Sequence, residues 1–264
     1  MSVFTVTNRL ANEHGFTNDR NPNGNTWWST PGKPFADAQY WARLGNQEAI
    51  EQIKAEGKPV VLFVHGYNES AKTAWGVMQS IVDGLGDAVT LVGFLWNSDG
   101  SIFDYEQDRK KAEESAGDLM NALIDLDCPH AVCHSMGNYL LQKAFELVNG
   151  ATAPYVDKLA MVAADVDFDV LKTSNIAQVS GEILVMYCPA DVALESSGIL
   201  HGRARLGAIG PIWARVPNVQ AVDCSSILPA ELLDPVKTHG DYFKAPKCWD
   251  VIWRFFSESQ GAAA

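Results

Sequence analysis

The chain has 264 residues, 47% hydrophobic and 20% charged, with eight Trp and eleven Phe, which is enough bulk for one sizeable core. A formal net charge of −12 without a concentrated basic face argues against nucleic acid or an anionic membrane as a partner. No apolar run approaches the ~20 residues of a membrane span, and the first residues lack a basic region before an apolar core, so a cytoplasmic location is expected.

In chain order, residues 4–7 read as an antiparallel edge strand, and residues 17–34 (TNDRNPNGNTWWSTPGKP), rich in turn formers, as a long loop. Residues 1–58 are thus expected to be an irregular amino-terminal segment, with Trp27 and Trp28 placed either to fold over a pocket mouth or, as the default for a single Trp, to pack into the core. Six apolar runs follow, at 60–64, 89–96, 130–133, 159–163, 183–187 and, more weakly, 219–222. Runs that do not alternate with polar residues are those of strands covered on both faces. Helical spacing appears between them at 70–84, 105–126 and 135–148, and again at 247–256. The alternation predicts an α/β fold with a mostly parallel open sheet and helices on both faces. The expectation is a single domain over 1–264 with its core at 59–257. Only residues 165–180 separate the fourth and fifth strands, too few for a large cap domain. The irregular stretch 194–217 is placed to line a pocket.

In such a sheet, chemistry collects beyond the carboxyl ends of the strands. There the segment Ala131-Val132-Cys133-His134-Ser135-Met136-Gly137 runs from an apolar strand through a serine directly into a helix. This is the context of a nucleophile elbow, whose tight turn lifts a hydroxyl above the sheet. Small residues are needed two before and two after the serine; Gly137 meets that need, and Cys133 stands where glycine is usual. The helix points its amino end at Ser135, where its dipole and free N–H groups favour developing negative charge. The alternative is that Ser135 only caps that helix.

Three features weigh toward chemistry. Val64-His65-Gly66-Tyr67-Asn68 follows the first buried strand, so the backbone N–H groups of Tyr67 and Met136 would form an oxyanion hole. His65 is expected to brace that turn. Asp191 follows the fifth strand as the orienting acid, with helix capping as its alternative role and Asp165 or Asp167 as the runner-up acid. His239, after the last strand, is the general base, and Ser, Asp, His is one of the known chain orders of such a triad. His65 and His134 are candidate substrate contacts.

Five cysteines without regular spacing read as buried free thiols. No metal is expected: His130 and His134 with Cys128 and Cys133 sit at different depths of one strand. Asp165-Val166-Asp167-Phe168-Asp169 lacks the glycine and glutamate of a calcium loop, since Val170 and Ile176 stand in those places. No cofactor is implied.

Over residues 55–257 these motifs resemble the α/β-hydrolase superfamily. With Leu95-Trp96-Asn97-Ser98, His134-Ser135-Met136-Gly137-Asn138, Ala163-Ala164-Asp165-Val166-Asp167 and Arg205-Leu206-Gly207, the chain is similar to a bacterial branch described only as alpha/beta hydrolases of unknown function. The resemblance implies a Ser-His-Asp triad and esterase- or lipase-like chemistry on a small-molecule ester, and no particular substrate. Asn68, Tyr105 and Asp165 match motif positions of that branch, which makes Asn68 and Tyr105 candidate substrate contacts, with structural hydrogen bonding around the site as the alternative role of all three. The same residues would serve an acyltransferase, and a fold retained only for binding is the rival outside enzymology.

Overall fold

The computed structural model describes residues 3–12, 15–30, 40–99, 105–151, 153–212, 216–228 and 238–258. Nine strands form one sheet: β1 (Val3–Thr7), β4 (Thr26–Thr30), β5 (Ala42–Leu44), β6 (Val60–Val64), β7 (Thr90–Leu95), β8 (His130–His134), β9 (Val156–Val162), β10 (Ser180–Tyr187) and β11 (Val219–Asp223). Their spatial order is β11-β10-β9-β8-β6-β7-β1-β4-β5. Every pairing from β11 to β1 is parallel, and β4 alone runs against the others, pairing antiparallel with both β1 and β5. Strands β2 (Arg9–Asn12) and β3 (Gly15–Arg20) make a separate hairpin.

The helices are α1 (Asn46–Ala55), α2 (Ala71–Leu85), α3 (Tyr105–Glu114), α4 (Ala116–Asp125), α5 (Met136–Glu146), α6 (Val170–Thr173), α7 (Val192–His201), α8 (Leu206–Ile209), α9 (Thr238–Asp241) and α10 (Pro246–Ser257). The apolar runs are continuous because the sheet is covered twice. In β6, Leu62 and Val64 pack into the core beneath α1, α4 and α5, while Val61 and Phe63 pack into the core beneath α2 and α10. Among the described residues no helix is long and apolar enough to cross a membrane, and no large cap interrupts the strand-helix alternation.

The amino-terminal expectations are corrected. Residues 4–7 lie in β1, which is no edge: it pairs in parallel with β7 and antiparallel with β4, and all five of its residues are buried. The 17–34 loop is instead the end of β3, a short turn and β4; residues 31–34 lie outside the described residues. The turn formers act only at residues 21–25. There Gly24 takes φ +79°, and Asn21 both accepts from the Asn23 N–H and donates to the Gly24 carbonyl. Trp27 is buried in β4 rather than lying over a mouth. Arg9, wholly buried, donates to Asn18 Oδ1 at 2.7 Å and to the Glu69 carbonyl at 2.8 Å, tying the hairpin to the turn after β6.

Two further boundaries differ for physical reasons. The expected helix 105–126 is broken into α3 and α4 at Ser115, whose hydroxyl donates to the Lys111 carbonyl at 2.7 Å. The stretch 194–217 is largely ordered: Asp191 caps α7, and α8 follows. Residues 213–215 of that stretch lie outside the described set.

The chain passes from β7 to β8 across β6, so the strand order reverses there. The crevice beyond the carboxyl ends of β6 and β8 is therefore the topological switch point, where ligands of open α/β sheets bind.

Candidate active site

Ser135 forms the turn between β8 and α5 with φ 52° and ψ −123°, a conformation that costs a non-glycine residue of the order of 1–3 kcal/mol. The surroundings hold it there. Its N–H donates to the Val162 carbonyl at 3.1 Å, and its carbonyl accepts from the Asn138 and Asp165 N–H groups at 3.0 and 3.2 Å. Gly66 and Gly137 make the turn sterically feasible. A Cβ on Gly66 would lie 2.8 Å from Ser135 Cβ, and one on Gly137 would lie 2.6 Å from the Val64 carbonyl oxygen. Cys133 fits where glycine is usual because its side chain points into the core beneath α5, wholly buried.

His239, on α9, is brought to Ser135: its Nε2 lies 2.7 Å from Ser135 Oγ, and its Nδ1 lies 2.8 Å from Asp191 Oδ2. The Asp191 side chain is fully buried. Its second oxygen accepts the Leu194 N–H at 3.2 Å, so this carboxylate caps α7 and holds His239 at once. The two roles weighed as alternatives in the sequence are compatible because a carboxylate has two oxygens. Burial alone would lower the His239 pKa, but the hydrogen bond and charge of Asp191, helped by Asp165 and Glu69, outweigh it and raise it.

The runner-up acids are engaged elsewhere. Asp165 accepts from Tyr105 Oη at 2.7 Å and Ser197 Oγ at 2.6 Å and pairs with Arg205 at 3.1 Å. Asp167 accepts from Arg205 Nη1 at 2.6 Å, and Asp169 from Arg203 Nη2 at 2.7 Å. Two arginines thus supply the cations that this acidic run needs. Among the described residues no group of three or more His, Cys, Asp or Glu is placed to hold a metal ion.

Two candidate substrate contacts have their rings engaged within the protein. The His65 ring is fully buried, with Nδ1 2.9 Å from the Gly66 carbonyl oxygen, Nε2 3.1 Å from the Trp96 carbonyl oxygen and its face stacked on Trp96. It braces the turn. Burial, with the Arg9 charge, lowers its pKa to about 3, so the ring is neutral and donates to only one of those carbonyls. His134, 6% exposed, donates from Nε2 to the His239 carbonyl at 2.9 Å and supports the base from behind. Its pKa also falls to about 3, through burial and the neighbouring His239. Tyr105 and Asn68 remain half-buried near the site, Asn68 at φ 60°.

Tyr67 stands in the turn after β6, and Met136 is the first residue of α5, whose leading N–H groups have no partner within the helix. Because β6 and β8 are adjacent, the two amides belong to neighbouring turns on the same edge of the sheet. Sequence reasoning assigned no role to Asn138, whose side-chain amide donates to the Cys133 and Ser135 carbonyls at 2.9 and 3.2 Å. Arg9 and Ser197 were missed too. Single polar residues in otherwise ordinary strands and helices carry no pattern that marks them.

A family model described as "alpha/beta hydrolase of unknown function (DUF900)" matches residues 43–238, ending one residue before His239. An uncharacterized protein of Nostoc sp., alr1448, is 25% identical, the match covering 76% of this chain and 74% of that one. Among solved structures, Aspergillus fumigatus lipase B superposes with a TM-score of 0.52 at 12% identity, over 82% of this chain. The match spans 59% of that lipase's length, and it is a likeness of fold alone. An esterase of Pyrobaculum calidifontis covers 98% of this chain and 86% of its own at 10% identity, with a TM-score of 0.46. With the family model matched over most of its length and the sheet of that fold present, the chain belongs to the alpha/beta hydrolases of unknown function.

Proposed function

We propose that the protein is a serine hydrolase that cleaves a carboxylic ester, or a related thioester or amide, through an acyl-enzyme. The observation that carries this reading is the unbroken relay from Ser135 Oγ through the His239 ring to the buried Asp191. His239 Nε2 takes the hydroxyl proton as Oγ bonds to the substrate carbonyl carbon, and Asp191 holds the imidazolium that forms. The Tyr67 and Met136 N–H groups receive the negative oxygen. The carbonyl re-forms as the alkoxide leaves with the proton from His239. Water then repeats the sequence and frees the acid and Ser135.

The test is turnover of p-nitrophenyl butyrate in water and with added methanol. Release of p-nitrophenolate, with butyric acid as product and some methyl butyrate when methanol is present, is expected for an acyl-enzyme open to water. Methyl butyrate far beyond the molar share of methanol would make the protein an acyltransferase. No turnover of this or other activated esters would favour a binding protein.

A further inference from the structure

The Ser135 carbonyl and the Met136 N–H belong to one planar peptide unit and point to opposite sides of it. Whatever holds the Ser135 oxygen therefore aims the Met136 N–H. Asn138 holds it with its backbone N–H and its side-chain amide, but Asn138 lies on α5 and moves with Met136. Asp165 holds it from a different element, the loop after β9.

Asp165 is itself fixed. It is 5% exposed, one oxygen accepts Ser197 Oγ and faces Arg205 Nε, and the other accepts the Tyr105 hydroxyl at 2.7 Å. The Tyr105 ring packs edge-on against Tyr67, with centroids 5.3 Å apart and planes at 67°. Tyr105 thus touches both halves of the oxyanion hole: Tyr67 directly, and the Met136 peptide through Asp165. Its hydroxyl donates to Asp165, and Ser197 Oγ and His201 Nε2 each lie 3.2 Å away. Burial and the Asp165 charge raise its pKa, so the hydroxyl keeps its proton.

We propose that Tyr105 is a positioning residue of the oxyanion hole, setting the spacing of the Tyr67 and Met136 N–H groups through its hydroxyl on Asp165 and its ring against Tyr67. This rests on the serine-hydrolase reading of Ser135. It replaces the expectation that Tyr105 contacts substrate. Donors to the oxyanion act in the transition state, so slack between them lowers kcat and leaves KM.

The experiment compares the wild type with Tyr105→Phe, which keeps the ring, and Tyr105→Leu, which loses both contacts. Kinetics on p-nitrophenyl butyrate are measured beside inhibition by phenylboronic acid. In that adduct Ser135 Oγ bonds to boron, its proton passes to His239, and the tetrahedral boron anion sets a hydroxyl where the oxyanion would lie. For Tyr105→Phe we expect kcat to fall about tenfold, less than for loss of a donor itself, with KM within about twofold. The phenylboronic acid inhibition constant should rise by a similar factor, and the pH midpoint of kcat/KM should stay, since the triad is untouched. Tyr105→Leu should lose more of both. A Tyr105→Phe enzyme with wild-type kcat and boronate affinity would overturn the proposal, as would a rise in KM alone. If Tyr105→Phe unfolds, Ser197→Ala, which removes another donor to Asp165, is read by the same pair of measurements. A wild type that turns over no ester sinks both readings, whereas an active wild type matched by Tyr105→Phe sinks this one only.

Discussion

Replacing His239 by alanine is expected to lower kcat on an activated ester by about 10³–10⁶-fold while KM changes far less. The ring is the only group bonded to Ser135 Oγ among the described residues, which makes it the group placed to take that proton. A loss below about tenfold would place the base elsewhere. The pH dependence has a fixed sign. The neutral ring is the working base, so kcat/KM rises with pH as His239 loses its proton. Because Asp191 raises that pKa against burial, the midpoint should lie above the usual imidazole value of 6.5. A midpoint below it would mean that Asp191 does not hold the ring in solution.

Gly207→Ala is expected to cost about 3 kcal/mol or more, a fall in Tm of about 6–12 °C for a chain of this size. Gly207 lies in α8, where its N–H donates to the Ala164 carbonyl at 2.9 Å and its carbonyl accepts the Cys188 N–H at 3.0 Å. It therefore joins the loops after β9 and β10, which carry Asp165 and Asp191. A Cβ there would lie 2.3 Å from the Ala164 nitrogen and 2.4 Å from the Ala163 carbonyl carbon. Both are backbone atoms, so no side-chain rotation relieves the contact, and Ala163 already sits at φ 44°. The loss should appear in thermal unfolding and, through the displaced loops, in kcat. A Tm within a degree or two of wild type would show that α8 can back away freely.

The catalytic half of the fold is legible because its strands are buried on both faces. The run 60–64 coincides with β6, and the other five lie within a few residues of their strands. The first 58 residues are not legible. There β1 carries Thr5 and Thr7 in a buried strand, and Thr7 is tolerated because its hydroxyl donates to the Leu95 carbonyl at 2.6 Å. Partners about 88 residues away leave no local trace. Helical spacing over 70–84 matches α2 to within a residue at each end, and Gly84 inside it leaves room for Trp249 of α10.

The same contrast runs through the site. Ser135 and Gly137 sit at a local turn whose residue types are dictated by sterics, and the proposed partners Asp191 and His239 lie beyond later strands, so order along the chain suggests them. The choice between Asp191 and Asp165 was not local. It turns on Arg205, Ser197 and Tyr105 engaging Asp165, three residues from three separate elements. His65 and His134 looked like site residues because they flank the crevice. Depth is what the sequence does not show, and both rings lie beneath the backbone they support.

The central claim is that Ser135 is the activated nucleophile. Its most direct measurement is labelling of the intact protein with a fluorophosphonate, followed by mass mapping of the modified peptide. One adduct per chain on Ser135, absent from Ser135→Ala and strongly slowed in His239→Ala, is the predicted result. Labelling that survives Ser135→Ala, or a folded wild type that never reacts, would contradict it.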